Sequence, residues 1–134
     1  METATERYSG GSKHVLIVDN DDRTLHDLEE LVRSEGFSIR TTWSGREALA
    51  LIESQPFDVV LVDNHLPDIY YGEFLQLARR HARCLVVMQK SKPLPGSLRR
   101  YKTMGATAVV DKDDPMHLRQ LLAAQARQAG TRLA

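Results

Sequence analysis

The sequence has a single cysteine, Cys84, among 134 residues, which excludes an internal disulfide and suits a reducing compartment. Cys84 opens an apolar run, so its thiol reads as a buried, inert group rather than a nucleophile. Neither sign of charge is in surplus. Lys plus Arg and Asp plus Glu stand at 18 each, so no global field steers the chain to nucleic acid or an anionic membrane. Long hydrophobic runs are missing too: the apolar stretches are about four residues long, against roughly 20 for a membrane span. The N-terminus is polar and lacks a secretory apolar core, and a cytoplasmic location follows as the expectation. No G-x-x-x-x-G-K-S/T loop occurs to cradle a nucleotide. The five histidines, His14, His26, His65, His81 and His117, show no metal-ligand spacing. What is present, 42% hydrophobic and 27% charged residues, is enough for one globular domain with one core.

Residues 1–12 are polar and close on Gly-Gly-Ser, and read as a flexible tail; 13–128 read as one domain and 129–134 as a C-terminal tail. Short β-branched runs at 15–18, 59–62, 85–88 and 108–110 are continuous, as in strands covered on both faces. Residues 37–43 differ. Phe37, Ile39, Thr41 and Trp43 alternate with Ser38, Arg40 and Thr42, which predicts a half-exposed edge strand.

Helical patterns lie between the runs. Leu25, Leu28, Leu31 and Val32 form one apolar stripe, and Gly36 is its C-terminal stop. Ser44 and Glu47 form a capping box before Ala48, Leu49 and Ile52, and Pro56 closes that segment. Phe74, Leu75 and Ala78 mark a third helix; Leu98 and Tyr101 mark a fourth that ends at Gly105. Asp114 and Pro115 start a fifth, with Leu118, Leu121, Leu122 and Ala126 inward. Five strand-then-helix repeats predict a doubly wound α/β domain: a five-stranded parallel sheet with helices on both faces. The edge-like second strand fits the order 2-1-3-4-5, with the switch point between strands one and three.

Ligands of such sheets bind beyond the carboxyl ends of the strands at the switch point. Strand one ends in Asp19-Asn20-Asp21-Asp22, strand three in Asp63, strand four in Gln89 and strand five in Asp111-Lys112. Carboxylates brought together repel unless a cation intervenes. Lys112 supplies one positive charge, and Mg²⁺ would supply two. A carboxylate beside such a cation can attack phosphorus to form an acyl phosphate. The competing reading is that the acids cap helices, and it weighs most for Asp21 and Asp22.

The segments VLIVDND, FDVVLVDNHLPD and MGATAVVDKDDP together resemble the receiver domain of response regulators, the family typified by the chemotaxis response regulator, over residues 13–127. The resemblance implies a flavodoxin-like (βα)₅ fold and two-component signal transduction. Carried over residue by residue, Asp63 matches the phosphoacceptor. Asp19, Asn20, Asp63 and the backbone carbonyl of His65 match the Mg²⁺ site, and Pro67 the proline of the following loop. Lys112 and Gln89 match the positions that contact the phosphoryl group.

The departures are equally specific. Asn20 is neutral where the family has an acid, which implies weaker Mg²⁺ binding; Asp21 is the nearby acid that would compensate unless it faces the helix. Gln89 replaces the switch hydroxyl, and Val109 replaces the switch aromatic with a stiff side chain. Asp113 follows Lys112 where proline is usual, so a trans bond is expected. The loop 67–72 is one residue longer than the common pattern. Pro93 and Pro95 delay the fourth helix to about Pro95.

The resemblance implies a sensor histidine kinase or phosphotransfer protein as donor. It implies a downstream protein or a homodimer through the fourth and fifth helices, with no direct nucleic acid and no membrane. It implies no enzyme beyond self-catalysed phosphotransfer and dephosphorylation, tuned at His65 and Ser91. The second reading is a degenerate receiver that binds partners without phosphorylation, because Asn20, Gln89 and Val109 depart. A third, an aspartate-nucleophile hydrolase like the haloacid dehalogenases, lacks its second acid, since His65 holds that place. Tyr70-Tyr71 fits either the sheet edge or a cover over the pocket.

Overall fold

The computed structural model describes residues 13–133, with side-chain burial described to residue 128; the expected tail at 1–12 lies outside the described residues. Five strands and five helices alternate: β1 (Lys13–Val18), α1 (Asp22–Ser34), β2 (Phe37–Thr42), α2 (Gly45–Ser54), β3 (Val59–Asp63), α3 (Tyr71–Ala78), β4 (Leu85–Gln89), α4 (Pro95–Met104), β5 (Ala108–Asp111) and α5 (Pro115–Leu133). The strands form one parallel sheet in the order β2-β1-β3-β4-β5. The doubly wound prediction therefore holds, and every strand lies within a residue or two of its sequence-predicted bounds. Helix α5 runs to Leu133.

The sheet has two apolar layers because its central strands carry unbroken apolar runs, 15–18, 59–62 and 85–88. Val15 and Ile17 face Leu25, Leu28 and Val32 of α1 and Leu118 and Leu122 of α5. Leu16 and Val18 face Ala48 and Ile52 of α2, and Phe74 and Leu75 of α3 share that layer with Tyr101 of α4. Each fully buried Val, Leu or Phe contributes about 1.5–3 kcal/mol, so these layers hold the strand tips rigidly. Cys84 is buried in the first layer, and burial pushes its thiol up to about 11, as an inert group requires.

The edge strand needs a correction. Its alternation holds for Phe37 and Ile39 but not beyond: Thr41 is exposed, Thr42 is buried and Trp43 is 61% exposed. The covering layer changes along the strand. Phe37 packs in the α1 layer, whereas at the far end α2 begins on the other face and takes Thr42, whose hydroxyl donates to Glu47. The capping box is modified for the same reason. Ser44 Oγ accepts from the Glu47 amide at 3.1 Å, but the Glu47 carboxylate goes to Thr42 instead of back to the cap.

The loop after β3 is pinned to α2 by Asp68. Its carboxylate accepts from the Gly45 and Arg46 amides, each at 3.0 Å, and from the Ser44 hydroxyl at 2.8 Å. These three donors outweigh its desolvation and hold the Asp68 carboxyl below the usual range. Gly45 is required there, because a Cβ would run into the side chains of Ile69 and Leu66.

Candidate functional site

Register alone brings the three expected groups together. Val18 lies opposite Val62, so Asp19 and Asp63, the next residue on each strand, reach the sheet rim side by side. Asp63 lies opposite Met88, and Gln89 opposite Asp111, so the rim continues to Lys112. Lys112 Nζ donates to Asp19 Oδ2 at 2.7 Å and lies 2.9 Å from Asp63 Oδ1. Asp63, Asn64, His65, Gln89, Lys90, Ser91 and Lys112 line a shallow cup of about 440 Å³.

The two acids are not equivalent. Asp63 opens into the cup. Asp19 is fully buried behind Lys112, and its other oxygen accepts from the Asp21 amide at 3.0 Å. Burial raises the Asp19 carboxyl above its ordinary range, and the Lys112 hydrogen bond offsets part of that. Burial alone would lower Lys112, but its bonds to both carboxylates overturn this and hold it higher, so it stays an ammonium at neutral pH. Asp21 sits at the N-cap of α1 with its carboxylate on the Thr24 hydroxyl at 2.8 Å, which lowers its proton affinity. Its carboxylate is thus engaged with the first turn of α1.

The donors expected for a divalent ion are all oxygens: the Asp63 and Asp19 carboxylates, the Asn20 amide and the His65 carbonyl. Asn20 is exposed at the rim. Among the described residues no three acids, histidines or cysteines converge as a metal site. The set fits a hard ion that keeps several waters, with one carboxylate fewer than a strong site and a net charge near −1 with Lys112 counted.

The model for the "Response regulator receiver domain" family matches residues 15–124. The chain belongs to that family.

Among curated relatives, the cell cycle transcriptional regulator CtrA of Caulobacter vibrioides is 36% identical over 65 residues, covering 48% of this chain and 28% of that protein. The regulatory protein VanRc of Enterococcus gallinarum is 30% identical over 81 residues, 60% of this chain and 35% of that protein. The chain thus spans about a third of these relatives or less. A CheY-like receiver domain from Methanospirillum hungatei superposes with TM-score 0.77 at 25% identity, covering 90% of this chain and 98% of that one. The receiver domain of a Pseudomonas aeruginosa sensor histidine kinase, with a magnesium ion in its active-site cleft, superposes at 0.73 and 19% identity over 87% of this chain and 98% of that one. The chain is a receiver domain of two-component signalling, a class that works with histidine kinases. Among the described residues no helix is long and apolar enough to cross a membrane.

Besides Asn20 after β1 and the longer loop after β3, the departures lie on β4, β5 and the segments that follow them. Gln89 is buried, and its amide nitrogen donates to Ser91 O at 3.0 Å and Ser91 Oγ at 3.2 Å. A contact from that nitrogen to a phosphoryl group therefore requires release from Ser91. Val109 is buried in the same core layer as Tyr101. The Lys112–Asp113 bond is trans, as expected without proline. Helix α4 starts at Pro95, as the two prolines require.

One pair of residues at the site is not marked in the sequence. Asn64, directly after Asp63, donates from Nδ2 to the Tyr101 hydroxyl at 3.3 Å. Tyr101 lies 5.2 Å from Tyr71 between ring centroids, and Tyr71 lies 4.7 Å from Tyr70. The tyrosine pair thus packs on α4 and neither covers the cup nor reaches the sheet edge. Tyr70 folds over Gly72, where a Cβ would strike its ring. The one available signal was Asn64 beside the acceptor; nothing local links it to a helix 37 positions away.

Proposed function

We propose that Asp63 accepts a phosphoryl group from the phosphohistidine of a histidine kinase or phosphotransfer protein in the cytoplasm. The observation that carries this reading is Lys112, held at 2.7 and 2.9 Å between Asp19 and Asp63 at the mouth of an open cup. An Asp63 carboxylate oxygen attacks phosphorus, the P–N bond to imidazole breaks, and the leaving imidazole retains that electron pair. Lys112 neutralises charge on the phosphoryl oxygens, and Asp19 aims Lys112. Asp63, Asp19, the Asn20 amide and the His65 carbonyl would hold Mg²⁺, which when bound supplies further positive charge to those oxygens. Water later attacks the acyl phosphate, with His65 and Ser91 on the rim setting its access. No free substrate is turned over, so the domain is a phosphoacceptor and not an enzyme in the ordinary sense.

The exit of the signal differs from the family's usual route. Val109 is too stiff to swing. Asn64 moves with its neighbour Asp63, and its bond to Tyr101 carries the change to α4.

The test is acetyl phosphate with Mg²⁺, read by intact mass, and beryllium fluoride with Mg²⁺, read by fluorine NMR. The wild type is expected to gain one phosphoryl increment and one fluoride complex, and Asp63→Asn neither. A wild type inert to both would leave the second reading, a constitutive binding module, which Asn20 and the Gln89–Ser91 bond favour.

A further inference from the structure

Gln89 closes the β4 side of the cup, and the two ends of its amide are used unequally. The Ser91 carbonyl can only accept a hydrogen bond, so the group that meets it at 3.0 Å must be the amide nitrogen. The Ser91 hydroxyl meets the same nitrogen at 3.2 Å. An amide is planar, so fixing its nitrogen fixes its oxygen as well. Among the described residues nothing donates to Gln89 Oε1, although the residue is only 9% exposed. A buried carbonyl without a donor is costly. Gln89 lines the cup together with Asp63, His65 and Lys112, so that oxygen is free at the phosphoacceptor.

The identity of its partner follows from the donors available there. Phosphoryl oxygens cannot satisfy Oε1, because they too only accept. The two ammonium groups of the cup are placed otherwise: Lys112 bridges Asp19 and Asp63 at 2.7 and 2.9 Å, and Lys90 is exposed. Water is the donor that remains.

We propose that Gln89 is a catalytic residue of dephosphorylation, its carbonyl oxygen accepting a hydrogen bond from the water that attacks the Asp63 acyl phosphate. This rests on the reading of Asp63 as the phosphoacceptor. The water oxygen bonds to phosphorus, the bond from phosphorus to the Asp63 oxygen breaks, and that oxygen keeps the electron pair as a carboxylate. Inorganic phosphate leaves with both water protons, one of them shared with Oε1 during the attack. Enzymes that hydrolyse GTP use a glutamine in the same way, to aim a water at phosphorus. The hydroxyl usual at this place in the family can donate to the phosphoryl oxygens and steady them. Gln89 has spent its donor on Ser91 and offers an acceptor instead, which shortens the life of the signal. Ser91 is a positioning residue, holding the amide in that orientation.

The test loads the full chain with acetyl phosphate and Mg²⁺, removes the donor by desalting, and follows the phosphoryl increment by intact mass. Gln89→Met keeps the length of the side chain and removes the carbonyl, and Gln89→Thr puts a hydroxyl in its place. One hydrogen bond to the reacting water corresponds to about tenfold in rate. Both variants should therefore hold the phosphoryl group about tenfold longer than the wild type, while initial loading changes by a smaller factor. Ser91→Ala spares the bond from Gln89 to the Ser91 carbonyl and should slow decay less, about two- to threefold. A wild-type adduct that decays no faster than those of Gln89→Met and Gln89→Thr, or loading slowed as much as decay, would overturn the proposal while leaving Asp63 as the phosphoacceptor. A wild type that gains no phosphoryl increment would overturn both.

Discussion

The tips of β1, β3 and β5 still bring Asp19, Asp63 and Lys112 into one cluster despite the neutral Asn20 beside it, whereas the tip of β4 and the helix after it have been rebuilt. The difference follows from how each is positioned. Asp63 is the last residue of β3, and Asp19 and Lys112 directly follow β1 and β5, so backbone register sets where all three emerge. Gln89 and Tyr101 act through long side chains whose partners, Ser91 and Asn64, lie in a loop or on another element. Substitution at the first set destroys the cluster. At the second it redirects a contact while the sheet stays as it is.

Three substitutions probe this contrast, beginning with the largest effect. Lys112→Met leaves two buried carboxylates facing each other without a cation. A loss of about 3–5 kcal/mol is expected at pH 7 in urea unfolding. Asp19 already has a raised pKa from burial and would lose the offset from Lys112. A raised carboxyl favours the folded state at low pH and loses that advantage as pH rises through the folded value. The variant should therefore recover stability on acidification toward the ordinary Asp range near about 3.9. A pH-independent loss would show that Lys112 acts by packing alone.

Asp68→Ala removes the cross-loop cap of α2. The cost should be about 1 kcal/mol at neutral pH, within the range for helix caps. The Asp68 carboxyl is depressed, so its contribution is present above the ordinary Asp value and disappears as pH falls through the lower, folded one. Wild type and variant should converge at that end of a urea–pH series.

Tyr101→Phe should cost the least, about 0.5–1.5 kcal/mol for one hydrogen bond. Its main effect is on communication. Beryllium fluoride should still bind Asp63, but amide shifts in residues 95–104 should shrink to less than about half of the wild-type change. Undiminished shifts would place the route elsewhere.

The contrast also explains what the sequence reveals. Continuous Val, Ile and Leu runs mark strands buried on both faces, and whatever follows such a run must appear at the rim, so Asp19, Asp63 and Lys112 were readable. Trp43 was misplaced because alternation extrapolates past the point where α2 takes over the cover of β2. The Asn64–Tyr101 bond was invisible because periodicity assigns faces, not the partners of polar tips.

The borders of the sheet have a further consequence. β5 has only four residues, and β2, on the other side, ends in the polar run Arg40, Thr41 and Thr42. Neither offers the long, flat, greasy template that amyloid-like strand addition requires. A concentrated solution of this domain should therefore resist fibril growth from the native state, even though every interior strand is rich in residues that favour fibrils.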